Sequence, residues 1–165
     1  RSEIRALKPI KGTHHTVYLP AYEDEEILNI LFQLKSTKWH VFSKSVKAIC
    51  EKSNVILHPV DNALFIESLR TCIGLLSSAG FESPAEALFL GKKVFVIPIK
   101  NQYEQVCNAQ ALSRLGISFA LELNQSIMVK LQLWVDQDFD CNIDFQDQTE
   151  GIIQNQILIP TGFLV

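Results

Sequence analysis

The feature that most constrains the fold of this chain is a series of short apolar runs that are continuous rather than alternating. Such runs are typical of strands that are covered on both faces, as in a parallel sheet. Segments with helical periodicity separate the runs. This alternation predicts an α/β fold with right-handed β-α-β units and a doubly wound parallel sheet of about six strands. The predicted strands are centred on residues 17–19, 41–42, 55–57, 73–76, 94–97 and 119–121.

The helical segments are marked by apolar spacing and by signals at their ends. Residues 24–35 place four aliphatic side chains on one face and three acidic residues in the first turn, where the helix dipole favours negative charge. Gly91 and Gly116 each follow a helical segment and act as stop signals. The predicted helices span residues 24–35, 45–52, 62–70, 84–90, 102–115 and 126–136.

The length of 165 residues is that of one ordinary domain with a single core. Residues 1–14 are interpreted as a polar lead-in or linker, and residues 15–137 as the folded domain. Residues 138–165 are rich in Gln, Asn and Asp and then become apolar. We expect this tail to pack on a domain or partner outside the chain, because one small domain offers it little to pack against.

Charge and cysteine usage exclude several classes of function. The net charge is −3, the pI is about 5.8, and there is no long Lys/Arg block, which disfavours nucleic acid or an anionic membrane as the main partner. Cys50, Cys72, Cys107 and Cys141 are widely spaced without a Cys-x-x-Cys pair. This spacing predicts reduced, mostly buried thiols in a cytosolic protein and no metal centre. No apolar run is long enough to span a bilayer.

Three loops are candidates for a ligand site, because ligands of open α/β sheets bind beyond the carboxyl ends of the strands. They are residues 58–62, 77–83 and 98–105. The middle loop contains the small-residue turn SSAG, which is followed by a helix start. Small residues let a ligand approach the backbone, and a helix start presents unpaired N–H groups, so this loop suits a phosphate.

The same residues also have a purely structural interpretation. Residues 83–86 read as a capping box with Pro at the first helical position, and residues 101–104 as a similar cap. On this view Gln105 and Asn108 are ordinary polar residues of a helix surface. His58 is then a solvated loop histidine, and Phe81 packs under the turn.

Several motifs occur in an order and spacing that resemble a known family. The sequence SAG at residues 78–80 ends a predicted strand, and Glu86 follows in the next helix. Gly91 and Pro98 bracket the next strand, and the sequence EQVCNA at residues 104–109 opens the following helix. This arrangement resembles the C-terminal, donor-binding half of GT-B glycosyltransferases, as in the UDP-glycosyltransferases and the family 28 C-terminal domain.

The resemblance covers about residues 15–136, and the sequence of the motifs looks most like that of a bacterial branch of glycosyltransferases. Residues 54–61 resemble the strand and loop that hold the nucleobase in that family. Two positions depart from the pattern: Ala79-Gly80 stands where Gly-Gly is common, and Glu104 stands where Asp is common.

The resemblance implies a Rossmann-like domain and a role for each matching segment. Residues 78–80 and the following helix start would receive a diphosphate, and Glu86 would accept the ribose hydroxyls. Residues 104–105 would hold the transferred sugar, and the backbone of residues 58–60 would read the base. The donor-binding residues so implied are His58, Val60, Ser78, Ala79, Gly80, Phe81, Ser83, Glu86, Glu104, Gln105 and Asn108.

The function implied is that of the UDP-sugar-binding domain of an inverting glycosyltransferase, which transfers a hexosyl group to an acceptor hydroxyl. No metal or other cofactor is implied. No catalytic residue is assigned, because in this family the acceptor site and the general base come from an N-terminal domain. The alternatives are a non-catalytic nucleotide-sugar-binding subunit that needs a partner chain, and half of a nucleotide-sugar epimerase. The resemblance implies a cytoplasmic protein, with peripheral attachment at the inner face of the membrane as an alternative.

Overall fold

Seven strands form one sheet in the computed structural model, which describes residues 2–138 and 148–157. The strands are β1 His14–Tyr18, β2 Lys38–Ser43, β3 Cys50–Lys52, β4 Val55–Pro59, β5 Gly74–Ser78, β6 Lys93–Ile97 and β7 Ser118–Phe119. The helices are α1 Ser2–Arg5, α2 Asp24–Leu31, α3 Asn62–Thr71, α4 Glu82–Phe89, α5 Tyr103–Arg114, α6 Met128–Asp136 and α7 Thr149–Ile152. A 3-10 turn at Gln125–Ile127 precedes α6, and a π-helical turn at Ile153–Ile157 follows α7.

The strand order is β3-β4-β2-β1-β5-β6-β7, and every neighbouring pair is parallel except β3 with β4. Counted among the parallel strands alone, this order is third, second, first, fourth, fifth and sixth, which is the Rossmann order. The winding therefore reverses between β1 and β5, and a crevice forms beyond their carboxyl ends. The predicted doubly wound fold with six parallel strands is confirmed.

Two apolar layers cover the sheet. On one face, Leu31 of α2 and Leu131 of α6 are fully buried in a cluster with Trp39 of β2. On the other face, α3, α4 and α5 supply side chains such as Leu69 and Ala109 to a second cluster. Because both faces are covered, the central strands have no solvent-facing positions, which explains their continuous apolar runs.

The helix predicted over residues 45–52 is wrong, because the end of this segment forms the edge strand β3. Cys50, Glu51 and Lys52 pair antiparallel with β4, and Ser53 makes the turn with a φ of 58°. Asn54 anchors this hairpin, since its Nδ2 donates to the carbonyls of Leu31, Leu34 and Thr37 at 2.9–3.1 Å.

The segment interpreted as a lead-in packs on the domain. Ile4 of α1 is buried in the same cluster as Leu69. The Ile10 N–H donates to the carbonyl of Arg70 at 3.0 Å, and the Ile10 carbonyl accepts from Lys92 Nζ at 2.7 Å. The first strand already begins at His14. Residues 2–14 are therefore held by the second apolar layer rather than detached from it.

The predicted tail lies largely outside the described residues, at positions 139–147 and 158–165. Within the described part, Ile152 at the end of α7 and Ile153 at the start of the π-helical turn are exposed. The expectation that the tail packs on another domain or a partner stays a prediction.

The cysteines only partly follow the expectation of buried thiols. Cys72 is buried, whereas Cys50 and Cys107 are exposed, and all three are free. Cys141 lies outside the described residues. The expectation of mostly buried thiols is wrong for two of the three that the structure describes.

Candidate functional site

A cavity of about 200 Å³ opens at the carboxyl edge of the sheet, next to the point where the winding reverses. It lies between the ends of β1 and β2, the loop after β4 and the first turn of α4. This is the position at which open α/β sheets bind ligands. The residues that line it are Tyr18, Phe42, Val60, Asp61, Asn62, Phe65, Glu82 and Ser83.

The small-residue turn lies beside this cavity. Ser78 ends β5, and Ala79 is fully buried. A Cβ built on Gly80 would meet no atom within 4 Å, and Gly80 does not have a positive φ. Fold geometry therefore does not demand glycine here, but the bare backbone leaves room for a ligand. Phe81 is 74 % exposed, so the expectation that it packs under the turn is wrong.

Helix α4 starts one residue before Ser83, so the predicted capping box is wrong. The N-cap is Phe81, whose backbone is already helical and whose carbonyl accepts from the Ala85 N–H at 3.2 Å. Pro84 fits in the first turn, where an N–H would have no partner within the helix. The shift places Ser83 on the wall of the cavity rather than at the cap.

Glu86 lies in the second turn of α4 and is only 7 % exposed. A surface capping residue would be solvated, so this carboxylate does not follow the structural interpretation. Glu104, in contrast, is exposed in the first turn of α5. The structure thus separates the two carboxylates by environment: one is buried in α4, and the other is free to meet solvent or a ligand.

Helix α5 begins at Tyr103 with Gln102 as N-cap, so the cap predicted at Asn101 is also wrong. Asn101 instead occupies the turn before the helix, with a φ of 64°. Gln105 and Asn108 are not ordinary surface residues, because both make hydrogen bonds to the loops of the candidate site. Asn108 Nδ2 donates to the Ala79 carbonyl at 3.0 Å, and Gln105 Oε1 accepts from the Ile99 N–H at 3.0 Å.

His58 lies inside β4, so its interpretation as a solvated loop histidine is wrong. Its ring stacks on Phe42 with the centroids 5.0 Å apart and lies 4.9 Å from the ring of His40. Both ring nitrogens are buried without a hydrogen-bond partner among the described residues. Burial lowers the pKa of His58, so the ring is neutral at pH 7. Of residues 58–60, which were predicted to read the base, Val60 borders the cavity and is half-exposed.

Sequence reasoning missed the aromatic wall of the cavity. Tyr18 ends β1, Phe42 lies next to the end of β2, and Phe65 belongs to α3. The edge of the Tyr18 ring meets Phe65 at 5.8 Å, and Phe42 meets Phe65 at 5.2 Å between centroids. The rule about carboxyl strand ends predicts the first two residues once it is applied to β1 and β2. The position of Phe65 depends on how α3 crosses the sheet.

The lining of the cavity carries carboxylates but no Lys or Arg. Asp61 caps α3, because its Oδ1 accepts from the Leu64 N–H at 2.9 Å. Glu82 lies in the first turn of α4, where the helix dipole stabilises negative charge. A diphosphate at this edge would therefore have to be held by backbone N–H groups and by neutral side-chain donors such as the Ser83 hydroxyl.

A wider cavity of about 470 Å³ lies at the opposite, amino edge of the sheet. The ammonium groups of Lys92 and Lys93 lie there, but both already donate to backbone carbonyls at 2.7–3.1 Å. This space separates the N-terminal segment from the end of α6 and lacks the loops that carry ligand groups. We therefore place the candidate site at the carboxyl edge.

No group of three or more His, Cys, Asp or Glu residues within residues 2–138 and 148–157 could hold a metal ion. Among the helices described here, none is both long and apolar enough to cross a membrane.

Solved structures similar to this domain are glycosyltransferases. SnogD from Streptomyces nogalater gives a TM-score of 0.57 at 18 % identity, over 79 % of this chain and 37 % of that one. The glycotransferase of kitacinnamycin gives a TM-score of 0.54 at 18 % identity, over 77 % of this chain and 35 % of that one. The spinosyn rhamnosyltransferase SpnG was solved with thymidine diphosphate. It gives a TM-score of 0.51 at 16 % identity, over 79 % of this chain and 38 % of that one. At these identities the likeness concerns the fold, and the chain spans little more than a third of each enzyme.

Sequence comparison supplies the family. No curated protein sequence matches significantly. The profile described as glycosyl transferase family 1 matches residues 1–133, which include all seven strands of the sheet. The chain therefore belongs to this glycosyltransferase family, and its domain is one Rossmann-like half of a GT-B fold.

Proposed function

We propose that this domain binds the nucleotide-sugar donor of an inverting glycosyltransferase, with a UDP-sugar as donor and an acceptor hydroxyl as the target of hexosyl transfer. The observation that carries the proposal is the cavity beside the turn at residues 79–81, at the reversal point of a Rossmann sheet. Family membership makes a nucleotide-sugar the natural class of ligand.

The residues around the cavity suit the parts of such a donor. The base would enter between the aromatic wall and the backbone at Val60, and the diphosphate would meet the N–H groups at the start of α4. Glu86, in the second turn of α4, would accept the ribose hydroxyls. Glu104, exposed on the neighbouring helix, would accept hydroxyls of the sugar.

In the proposed reaction the acceptor oxygen attacks the anomeric carbon while the bond to the diphosphate breaks. This domain would stabilise the negative charge that develops on the leaving diphosphate, through preorganised N–H groups. The acceptor site and the general base would come from a second half, as an N-terminal domain or a partner subunit. The isolated chain is therefore expected to bind donor without transferring sugar, and transfer by the chain alone would contradict this division.

The first test is a chemical-shift titration of the 165-residue chain with UDP, with ADP, GDP, CMP and dTDP as controls. We expect UDP to give the strongest shifts, at the amides of Val60, Gly80 and residues 82–86. EDTA should leave binding unchanged, because no metal is proposed. Absence of binding, or equal binding of every nucleotide, would overturn the proposal.

A further inference from the structure

Helix α5 is tied to two loops of the candidate site by two amides on one face. Gln105 and Asn108 lie three positions apart and therefore share a side of the helix. Asn108 Nδ2 donates to the carbonyl of Ala79, in the turn after β5, at 3.0 Å. Gln105 Oε1 accepts from the Ile99 N–H, in the loop after β6, at 3.0 Å, and its Nε2 donates to Gln102 Oε1 at 2.9 Å.

Building on the proposed function, we propose that Gln105 and Asn108 are positioning residues rather than sugar ligands. They hold the turn at residues 79–81 and the loop at residues 98–102 at a fixed separation across the donor site. Contact with the sugar then falls to neighbouring groups such as Glu104, which is exposed.

The conformation of the turn after β5 is held by the Asn108 side chain rather than by the backbone freedom of glycine. Gly80 offers no side chain, and its φ is not in the region that only glycine favours. The carbonyl that Asn108 holds belongs to Ala79, which is fully buried and directly precedes Gly80. The tether therefore acts at the first residue of the turn.

The loop after β6 contains a strained residue that needs support. Asn101 has a φ of 64°, in the left-handed region that is unfavourable for most residues other than glycine. The Gln102 N–H donates to the Ile99 carbonyl at 3.1 Å and closes the turn, while Gln105 binds the Ile99 N–H and the Gln102 side chain. Gln105 is only 9 % exposed, so it holds this loop from the inside.

These internal bonds already fix the orientation of both amides, because Gln105 is held through its Oε1 and Nε2 and Asn108 through its Nδ2. A sugar hydroxyl that turned either side chain toward itself would have to offset the loss of these partners. The existing bonds therefore favour positioning over ligation.

The ligand-free test is hydrogen exchange of the Ile99 amide in the 165-residue chain. Gln105→Ala should speed this exchange by about tenfold, while global unfolding by urea changes much less. Gln105→Glu retains an acceptor and should restore most of the protection. Gln110→Ala, at an exposed position of the same helix, is the matched control and should change nothing. Unchanged Ile99 exchange in Gln105→Ala would overturn the proposal.

The ligand-bound test compares UDP with a UDP-hexose. Asn108→Ala should weaken both by the same factor, about tenfold, because the turn that receives the diphosphate is no longer held. A direct sugar contact would instead leave UDP binding unchanged and weaken the UDP-hexose alone, which would overturn the proposal for Asn108. If the wild-type chain binds no nucleotide, the proposed function fails, whereas hydrogen exchange at Ile99 still decides the role of Gln105.

Discussion

Two glycines near the ends of β5 show how one residue type serves packing in one place and access in another. A Cβ at Gly74 would lie 2.5 Å from Lys93 Cγ, 2.8 Å from the Lys93 carbonyl oxygen and 2.9 Å from Trp134 Cζ2. A Cβ at Gly80 would meet nothing within 4 Å. Gly74 is therefore required by the core, whereas Gly80 leaves space at the carboxyl edge.

The pair gives a matched stability prediction. Gly74→Ala should lower the free energy of unfolding by about 1–3 kcal/mol, because backbone and a packed ring oppose the new methyl group. Gly80→Ala should change it by less than about 0.5 kcal/mol, as at an unconstrained surface position. Urea unfolding of both variants measures this difference, and equal effects would contradict the geometry.

Gly80 also makes a ligand prediction. Gly80→Val should fold, since a Cβ there would meet no atom within 4 Å, yet it should weaken UDP binding by about tenfold or more by blocking the backbone. Calorimetric titration of the wild type and the variant measures the change. Undiminished affinity in a folded Gly80→Val variant would show that the diphosphate does not approach this turn.

At the scale of elements, the buried lysine at the start of β6 secures the last helix of the domain. Lys93 Nζ donates to the carbonyls of Trp134 and Val135 at 2.7 Å and of Gln137 at 3.1 Å. These carbonyls belong to the end of α6, where they lack partners within the helix and where positive charge is favoured. The bond from Lys93 to the Trp134 carbonyl links the sheet to a helix residue 41 positions later in the chain.

Replacement of this lysine should therefore loosen α6. Lys93→Met removes three charge-assisted hydrogen bonds and should cost about 2–4 kcal/mol of unfolding free energy. Lys100→Met is the control, because Lys100 is largely exposed and makes only a 4.0 Å ion pair with Glu122. Urea unfolding measures the free energy of unfolding of both variants. A loss for Lys93→Met no larger than that for Lys100→Met would show that Lys93 does not secure α6.

For the whole molecule, histidines within the fold link stability to pH. Burial lowers the pKa of all four histidines. It lowers the pKa of His40 to about 4 and the pKa of His15 to about 3, and it also lowers the pKa of His14 and of His58. His15 lies between the rings of Trp39 and Trp134, and His40 stacks on His14 at 3.8 Å. Nearby Lys93 adds to the shift of His15.

The sign of the pH dependence of stability follows from the number of protons that the folded and unfolded states bind. Unfolded histidines bind protons near pH 6.5, whereas these folded ones stay neutral until lower pH, so the unfolded state binds more protons in between. Stability should therefore fall as pH drops below 6.5, by up to about 1.4 kcal/mol per pH unit for each histidine. Urea unfolding between pH 7.5 and 5 measures the slope. His15→Phe should flatten it, and an equal slope in that variant would contradict the assignment.

Much of the fold was predictable because its signals are local. The six parallel strands, and the helices near residues 24–35, 62–70, 84–90, 102–115 and 126–136, follow from apolar runs and stop signals. The exception is the segment at residues 45–52, whose own propensity allowed a helix. Pairing with β4 and the Asn54 anchor are long-range interactions, and they overrode that propensity.

The sequence alone determined the fold class, the family resemblance and the three loops that meet at the carboxyl edge, because each depends on neighbours along the chain. Only the tertiary structure decided what the side chains in those loops do. It placed His58 inside a strand, moved the start of α4 to Glu82 and turned Gln105 and Asn108 toward the loops. Burial, stacking and the choice of hydrogen-bond partner depend on distant segments that meet only after folding.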